Sequence, residues 1–413
     1  MTDDRSLRIL VIDRMPPISL QQGNSLIGRH VFSRLGKHEL TLVAPVTADE
    51  RTSAAAELRS VFDAVHLVDV PRIPTAHGGW LHASLPGARA IGWPRAFRTA
   101  VDRAAGTAGF DIVHVRQLPM APFGRDVSAR GRLLELVDSE TLATSRDRRT
   151  GLRIAARRRL APTIERRAMA GYDVVTTVAE ADASVLRTLV GGTTRVDVMP
   201  NGVDAATFAP IPVETAPTGL VFVGAMSFPP NVAAVTWFAE QVFPRVRALR
   251  PTTTFAIVGR DPAPAVSHLA SLPGVVVTGA VADVRPWLAQ AAVVVCPMVS
   301  GSGIKNKVLE AMAMARPVVA TSLAVDGLGV SPGIHVELAD DSQAMTTTIV
   351  RLLDDAEGRA SIGSAARAFV RGSYSWEACA ERYEALYEEL AGPRSPDAVV
   401  TPGTARGEAH LTR

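Results

Sequence analysis

The stretch SGSGIKNKVLEAMAMARP, residues 300–317, concentrates residue types that handle anions. Of the 44 basic residues in the chain only Lys37, Lys305 and Lys307 are lysine, and two of these share this one glycine-rich loop. Lysine is a compact mobile ammonium and arginine a broad planar fork, so the two are not interchangeable where an anion is held tightly. Gly301, Ser302 and Gly303 let backbone N–H groups approach a ligand closely. A helix from about Asn306 would point its positive end at the same place. Together with the Lys305 ammonium these features suit a phosphate. Glu310 comes one turn later, where a carboxylate could accept hydrogen bonds from vicinal hydroxyls such as those of a ribose. Phosphate at the helix start and a diol at the first-turn carboxylate describe a nucleotide.

The elements around the loop are short apolar, β-branched runs that alternate with helical patterns. LRILVID (7–13), ELTLVAPV (39–46), DAVHLVDV, FDIVHVR, RLLELVD, YDVVTTVA and RVDVMP read as one series of strands, with the helix SLIGRHVFSRL after the first. LVFVGAM (220–226), TTFAIVG, GVVVTGAV, AAVVVCPM, RPVVATS and IHVELA read as a second. Such alternation implies parallel sheets covered on both faces. The expected architecture is α/β, with two doubly wound domains facing across a cleft. The expected division is an acceptor-binding domain at 1–208, a Pro- and Thr-rich linker at 209–218 and a nucleotide-sugar-binding domain at 219–373. A helix at 374–391 crosses back to the first domain, and 392–413 is a disordered tail. At 413 residues the chain also exceeds what one core usually supports. Ligands of such sheets bind beyond the carboxyl ends of the strands, which is where the loop at 300–305 falls.

Composition narrows the classes. Hydrophobic residues make up 47% and charged residues 21%, as in globular proteins that live in water. No apolar run reaches the roughly 18–20 residues that cross a bilayer, and the N-terminus lacks the pattern of a signal peptide. Cys296 and Cys379 are far apart with no metal-ligand neighbours, and Cys296 reads as a buried core thiol, so the expectation is a cytoplasmic, reduced protein. Residues 1–208 carry 28 Lys+Arg against 22 Asp+Glu. Nine of those arginines lie in 145–167, which is either a solvated helical face or a surface for an anionic membrane or acceptor. No recognition motif or aromatic platform accompanies them, so nucleic acid is not expected. The absence of G-x-G-x-x-G after the first strand argues against a dinucleotide dehydrogenase.

LEAMAMARPVVAT (309–321), PNGVD (200–204), DIVHV (111–115), VFVGAMSFPPN (221–231) and YSWE (374–377) together resemble the retaining glycosyltransferases of family 4. The variant GSGIKNKVLEAMA is similar to the branch found among bacterial exopolysaccharide sugar transferases. The resemblance covers about residues 7–390 and implies a B-type fold and a nucleotide-diphosphate sugar as donor. It implies a hydroxyl acceptor, a lipid-linked saccharide or a small metabolite, and no metal or other cofactor. The donor contacts it implies are Gly23, Gly224, Gly301, Ser302, Gly303, Ile304, Lys305 and Glu310. His114 matches a histidine that faces the cleft and, with Lys305, is a catalytic candidate. Three departures stand out. Ser302 replaces the family's first glutamate, Asn24 replaces a second glycine, and GAMSFPPN lacks the family's Arg/Lys pair. Lys305 is expected to take over the charge of that pair. Lys307, about 200° further round if both are helical, is expected to point away from the phosphate. A sugar-nucleotide epimerase and a binding protein without activity are the alternatives that the same fold allows.

Overall fold

The computed structural model describes residues 6–18, 23–49, 51–70, 93–106, 109–147, 151–213, 219–301 and 304–392. Two all-parallel sheets organise them. The first lobe runs through β1 (Arg8–Asp13), β2 (Glu39–Val46), β3 (Ala64–Asp69), β4 (Phe110–Arg116), β5 (Ala129–Val137), β6 (Val174–Thr177) and β7 (Arg195–Val198). Its strand order is β3-β2-β1-β4-β5-β6-β7. The second lobe runs through β8 (Gly219–Val223), β9 (Phe255–Val258), β10 (Val275–Gly279), β11 (Ala291–Cys296), β12 (Val318–Ala320) and β13 (Glu337–Leu338), in the order β10-β9-β8-β11-β12-β13. Strands such as Leu10-Val11-Ile12 and Val293-Val294-Val295 are buried on both faces, as helices on each side of a parallel sheet require. The run IHVELA yields only the two-residue β13, because Pro332 and Gly333 fold the preceding chain back on Val336.

In both sheets the strand order reverses next to the first strand, between β1 and β4 and between β8 and β11. The carboxyl ends of these pairs form the crevices where doubly wound sheets take ligands. Gly224 follows β8 directly, and the loop to Lys305 follows β11, so both open on the same crevice.

The last helix, Trp376–Ala391, packs on the first lobe although the sequence enters it from the second. It lies against the helix Gly23–Phe32 and against β4 and β5. The Trp376 ring stacks on His30 with centroids 4.7 Å apart, and Arg34 pairs with Glu377 at 2.8 Å. At the crossing point Val203 N–H donates to Tyr374 O at 2.7 Å. A Cβ on Gly202 would lie 2.6 Å from the Trp376 ring, which is why PNGVD needs glycine there. Residues 214–218 of the expected linker and 393–413 of the expected tail lie outside the described residues.

Candidate active site

The helix Asn306–Ala313 starts where the sequence places it, with Lys305 as its N-cap. Lys305 has φ −91° and ψ 94°, outside the helical region, so its side chain does not follow the helical rotation. The separation of about 200° expected between Lys305 and Lys307 therefore does not apply. The Lys307 ammonium does not point outward but turns inward beneath the crevice. Its Nζ donates to Asn231 Oδ1 at 2.6 Å and stands 4.5 Å from the centre of the Phe222 ring. Asn231, on the helix Pro229–Trp237, donates in turn to Ala225 O at 2.9 Å. A Cβ on Gly224 would come 2.7 Å from Asn231 Nδ2 and 3.3 Å from Lys307 Nζ, so that position admits no side chain without displacing this pair.

Glu310 lies on the same helix, and burial pushes its carboxyl up to about 7, with Lys307 working in the opposite direction. Burial lowers both lysines from their ordinary value. For Lys305 the main opposing charge is Asp138, from the first lobe. Ile304 is buried at the edge of the core, and Gly301 has φ +108°, the left-handed region that favours glycine. Ser302 and Gly303 lie outside the described residues. Gly23 opens the helix Gly23–Phe32 in the first lobe.

His114 is not where the resemblance suggests. It is fully buried within β4, with Nε2 3.1 Å from Glu135 Oε2 and Nδ1 2.7 Å from Tyr387 Oη. A carboxylate can only accept, so Nε2 carries the proton and Nδ1 accepts from the tyrosine. Burial lowers the pKa of His114 against the opposing pull of Glu135, which agrees with a neutral ring. Arg116 spans Asp13 and Glu135, reaching Glu135 Oε1 at 2.9 Å, and Tyr383 Oη donates to Glu135 Oε2 at 3.2 Å. Despite its own burial, Glu135 is held well below the usual carboxylate range by Arg116 and His114. This network fastens the last helix to the first lobe, and His114 belongs to that fastening and not to a ligand site.

The two lobes meet at the crevice. Asn201, from PNGVD, donates to Asn306 Oδ1 at 3.0 Å, and Arg146 pairs with Asp326 at 2.8 Å. Among the described residues no group of three or more His, Cys, Asp or Glu could hold a metal ion. No described helix is long and apolar enough to cross a membrane. Sequence reasoning missed the Lys307–Asn231 pair and Asp138. The second left a trace, since an acidic residue closes the strand run RLLELVD.

Residues 33–202 match the family model described as glycosyl transferase 4-like domain, and residues 217–355 match glycosyl transferases group 1. The chain belongs to these glycosyltransferases. Sucrose-phosphate synthase from Thermosynechococcus elongatus superposes on it with a TM-score of 0.70 at 17% identity, over 94% of this chain and 99% of that one. HepE of Anabaena, solved in complex with UDP and glucose, does so with a TM-score of 0.64 at 16% identity, over 93% and 100%. At such identities the likeness is one of fold, and the glycosyltransferase shares the two-lobed B-type architecture with both. An uncharacterized 44.6 kDa protein in the cps region of Klebsiella pneumoniae is 23% identical over 163 residues. That match spans 38% of this chain and 42% of the relative.

Proposed function

We propose that the glycosyltransferase moves a sugar, with retention of configuration, from a nucleotide-diphosphate sugar to a hydroxyl acceptor. The observation that carries this reading is the arrangement of one helix. Its start offers two ammonium groups, Lys305 and Lys307, and the Glu310 carboxylate follows one turn further along, all beyond the carboxyl end of β11. The cations suit a diphosphate and Glu310 suits the ribose. In this reading residues 219–373 hold the donor and residues 1–208 the acceptor.

During transfer the bond from the anomeric carbon to the distal phosphate breaks and a bond to the acceptor oxygen forms on the same face. The acceptor's proton passes to the leaving diphosphate, so no protein nucleophile is needed. Charge grows on that diphosphate as the bond breaks, and the two lysines with the helix dipole stabilise it most at that moment. No metal is required by this scheme.

The weak relative in a cps region and the sequence branch favour a saccharide destined for an exopolysaccharide as acceptor. A cytoplasmic enzyme that meets a lipid-linked acceptor would touch the inner face of the membrane, and the arginine-rich helix Leu152–Met169 is the surface we assign to that contact. Incubation with radiolabelled nucleotide sugars tests the core of the proposal. Transfer to a saccharide acceptor or slow release of free sugar with the donor's configuration supports it, and binding without either sinks it.

A further inference from the structure

One carboxylate in the crevice has no part in the scheme above. Asp138 follows β5, at the carboxyl end of the first-lobe sheet. The register of β5 on β6 shifts between Glu135 and Val137, and Val137 takes φ +66°, a conformation that costs a β-branched residue energy. The result is that Val137 and Ser139 are buried while Asp138 between them is exposed to solvent. The adjacent helix is capped by Ser139 Oγ, which accepts from Leu142 N, so Asp138 is not consumed as a cap. No described residue donates a hydrogen bond to its side chain.

The charges that act on Asp138 come from both lobes. Asp182 and Glu140 belong to its own, and Lys305 belongs to the other. The surrounding protein, with Asp182 next, pushes its carboxyl up to about 6 although the residue keeps solvent-exposed surface. Asp182 is fully buried; its Oδ1 accepts from Ser139 N at 2.7 Å, and Oδ2 has no partner among the described residues. Arg146 and Asp326 complete the surroundings. The carboxylates of Asp138 and Asp182, both from the first lobe, act on the Lys305 ammonium of the second, and that positive charge opposes occupation by a divalent cation. Among the described residues Asp138 lacks a donor altogether, and Asp182 has one only on Oδ1.

We propose that Asp138 binds hydroxyl groups of the sugar being transferred and helps to set which sugar is accepted. This rests on the donor reading given above. With the nucleoside on Glu310 and the diphosphate on the lysines, the group beyond the distal phosphate is the sugar, and Lys305 is the cation that Asp138 faces. A hexose supplies several O–H donors, and an ionised carboxylate accepts them without needing to donate. The sugar then touches both lobes while the nucleoside diphosphate touches one.

Calorimetry separates the two contacts. UDP, GDP and ADP are titrated first, and then the glucose, galactose and mannose conjugates of whichever binds. In the wild type one conjugate binds more tightly than its bare diphosphate, and this gain fades as pH falls from 7 to 5. In Asp138→Asn the bare diphosphate binds within about twofold of wild type, which also shows that the variant is folded, while the conjugate loses tenfold or more and its pH dependence. Equal conjugate affinity in both proteins, a gain that ignores pH, or no gain for any conjugate overturns the assignment and leaves the donor reading standing. If none of the three diphosphates binds the wild type, the donor reading falls and this one falls with it.

Discussion

Lys307 Nζ donates to Asn231 Oδ1 at 2.6 Å and so ties the helix after β11 to the helix after β8. The bond crosses the reversal in strand order, where the second lobe's two ligand-side loops must keep a fixed separation. Lys307 thus braces the walls of the proposed donor site, whereas Lys305 is the N-cap residue whose main opposing charge lies in the other lobe.

Lys307→Met keeps the aliphatic stem over Phe222 and removes the ammonium. It is expected to weaken nucleoside diphosphate binding by about 1.5–3 kcal/mol, the range for a hydrogen bond to a charged group, and to lower Tm as well. Lys305→Ala is expected to lower kcat at saturating donor about tenfold or more while Tm holds. Lys307→Arg should not restore binding, since a planar guanidinium is wider than the ammonium held 2.6 Å from Asn231 Oδ1 and 4.5 Å from the Phe222 ring centre. Calorimetry, thermal unfolding and turnover on the same three variants decide it. A Lys307→Met protein with unchanged affinity and Tm would return the whole burden to Lys305.

Glu310 sets function against stability. Its carboxyl is pushed up to about 7 in the fold and has an ordinary value of 4.5. Between those values the folded chain holds a proton that the unfolded chain has released. Stability therefore falls as pH rises through the window, and the cost is complete above 7. Glu310→Gln cannot ionise, so its Tm should exceed that of wild type at pH 8 and match it near pH 4.5. Its nucleotide affinity should be poor and flat with pH, while that of wild type strengthens from pH 6 to 8. Melting curves and titrations at three pH values test both halves.

The buried network around Arg116 is a stability device. Arg116→Leu would leave Asp13 and Glu135 buried without their cation, a loss of about 3–5 kcal/mol that urea unfolding should register. His114→Asn should lower stability by about 1–3 kcal/mol, because Glu135 and Tyr387 lose a partner. Its affinity for nucleoside diphosphate should equal that of wild type. A folded His114→Asn protein that binds but fails to turn over would restore a catalytic part for the histidine.

The arginines of the helix Leu152–Met169 are not equivalent. Arg157 pairs with Glu140, and Arg158 donates to Thr144 O at 3.2 Å and Asp147 O at 2.9 Å, so both serve the fold. Arg153 and Arg159 are exposed, beside Leu152 at 92% exposure and Leu160 at 44%. Changing Arg153 and Arg159 to Ser should reduce co-sedimentation with vesicles that contain a phosphatidylglycerol fraction, as added salt should for wild type. Vesicle binding by the double variant equal to that of wild type would remove this surface from consideration.

The alternation of apolar runs and helical patterns made both sheets legible, because strands buried on two faces leave a local trace. The helix start after the glycine-rich loop was equally local, since glycines, a lysine and the first helical residues follow one another in the chain. What could not be read was direction. Lys307 turns inward toward Asn231 and Phe222, on elements far away in the chain, and spacing does not carry that. His114 sits in a strand that reaches the ligand side, but Glu135 is 21 residues away and Tyr387 lies in the last helix, so its engagement is visible only once the chain has crossed back. Asp138 reads in the sequence only as the end of the strand run RLLELVD, and its exposure goes with the register shift just before it.

That crossing changes what counts as a separable piece of this enzyme. The last helix is encoded after the second lobe yet supplies the first with Tyr383, Tyr387 and the Trp376 ring that lies against Gly202. A chimera joined at residue 210 that took its second half from a relative would present the first lobe with a foreign final helix, and Glu135, His114 and His30 would face the wrong side chains. Exchange of first lobes between such enzymes therefore requires two junctions, one near residue 210 and one near residue 374. Descent by recombination would be expected to respect the same two points.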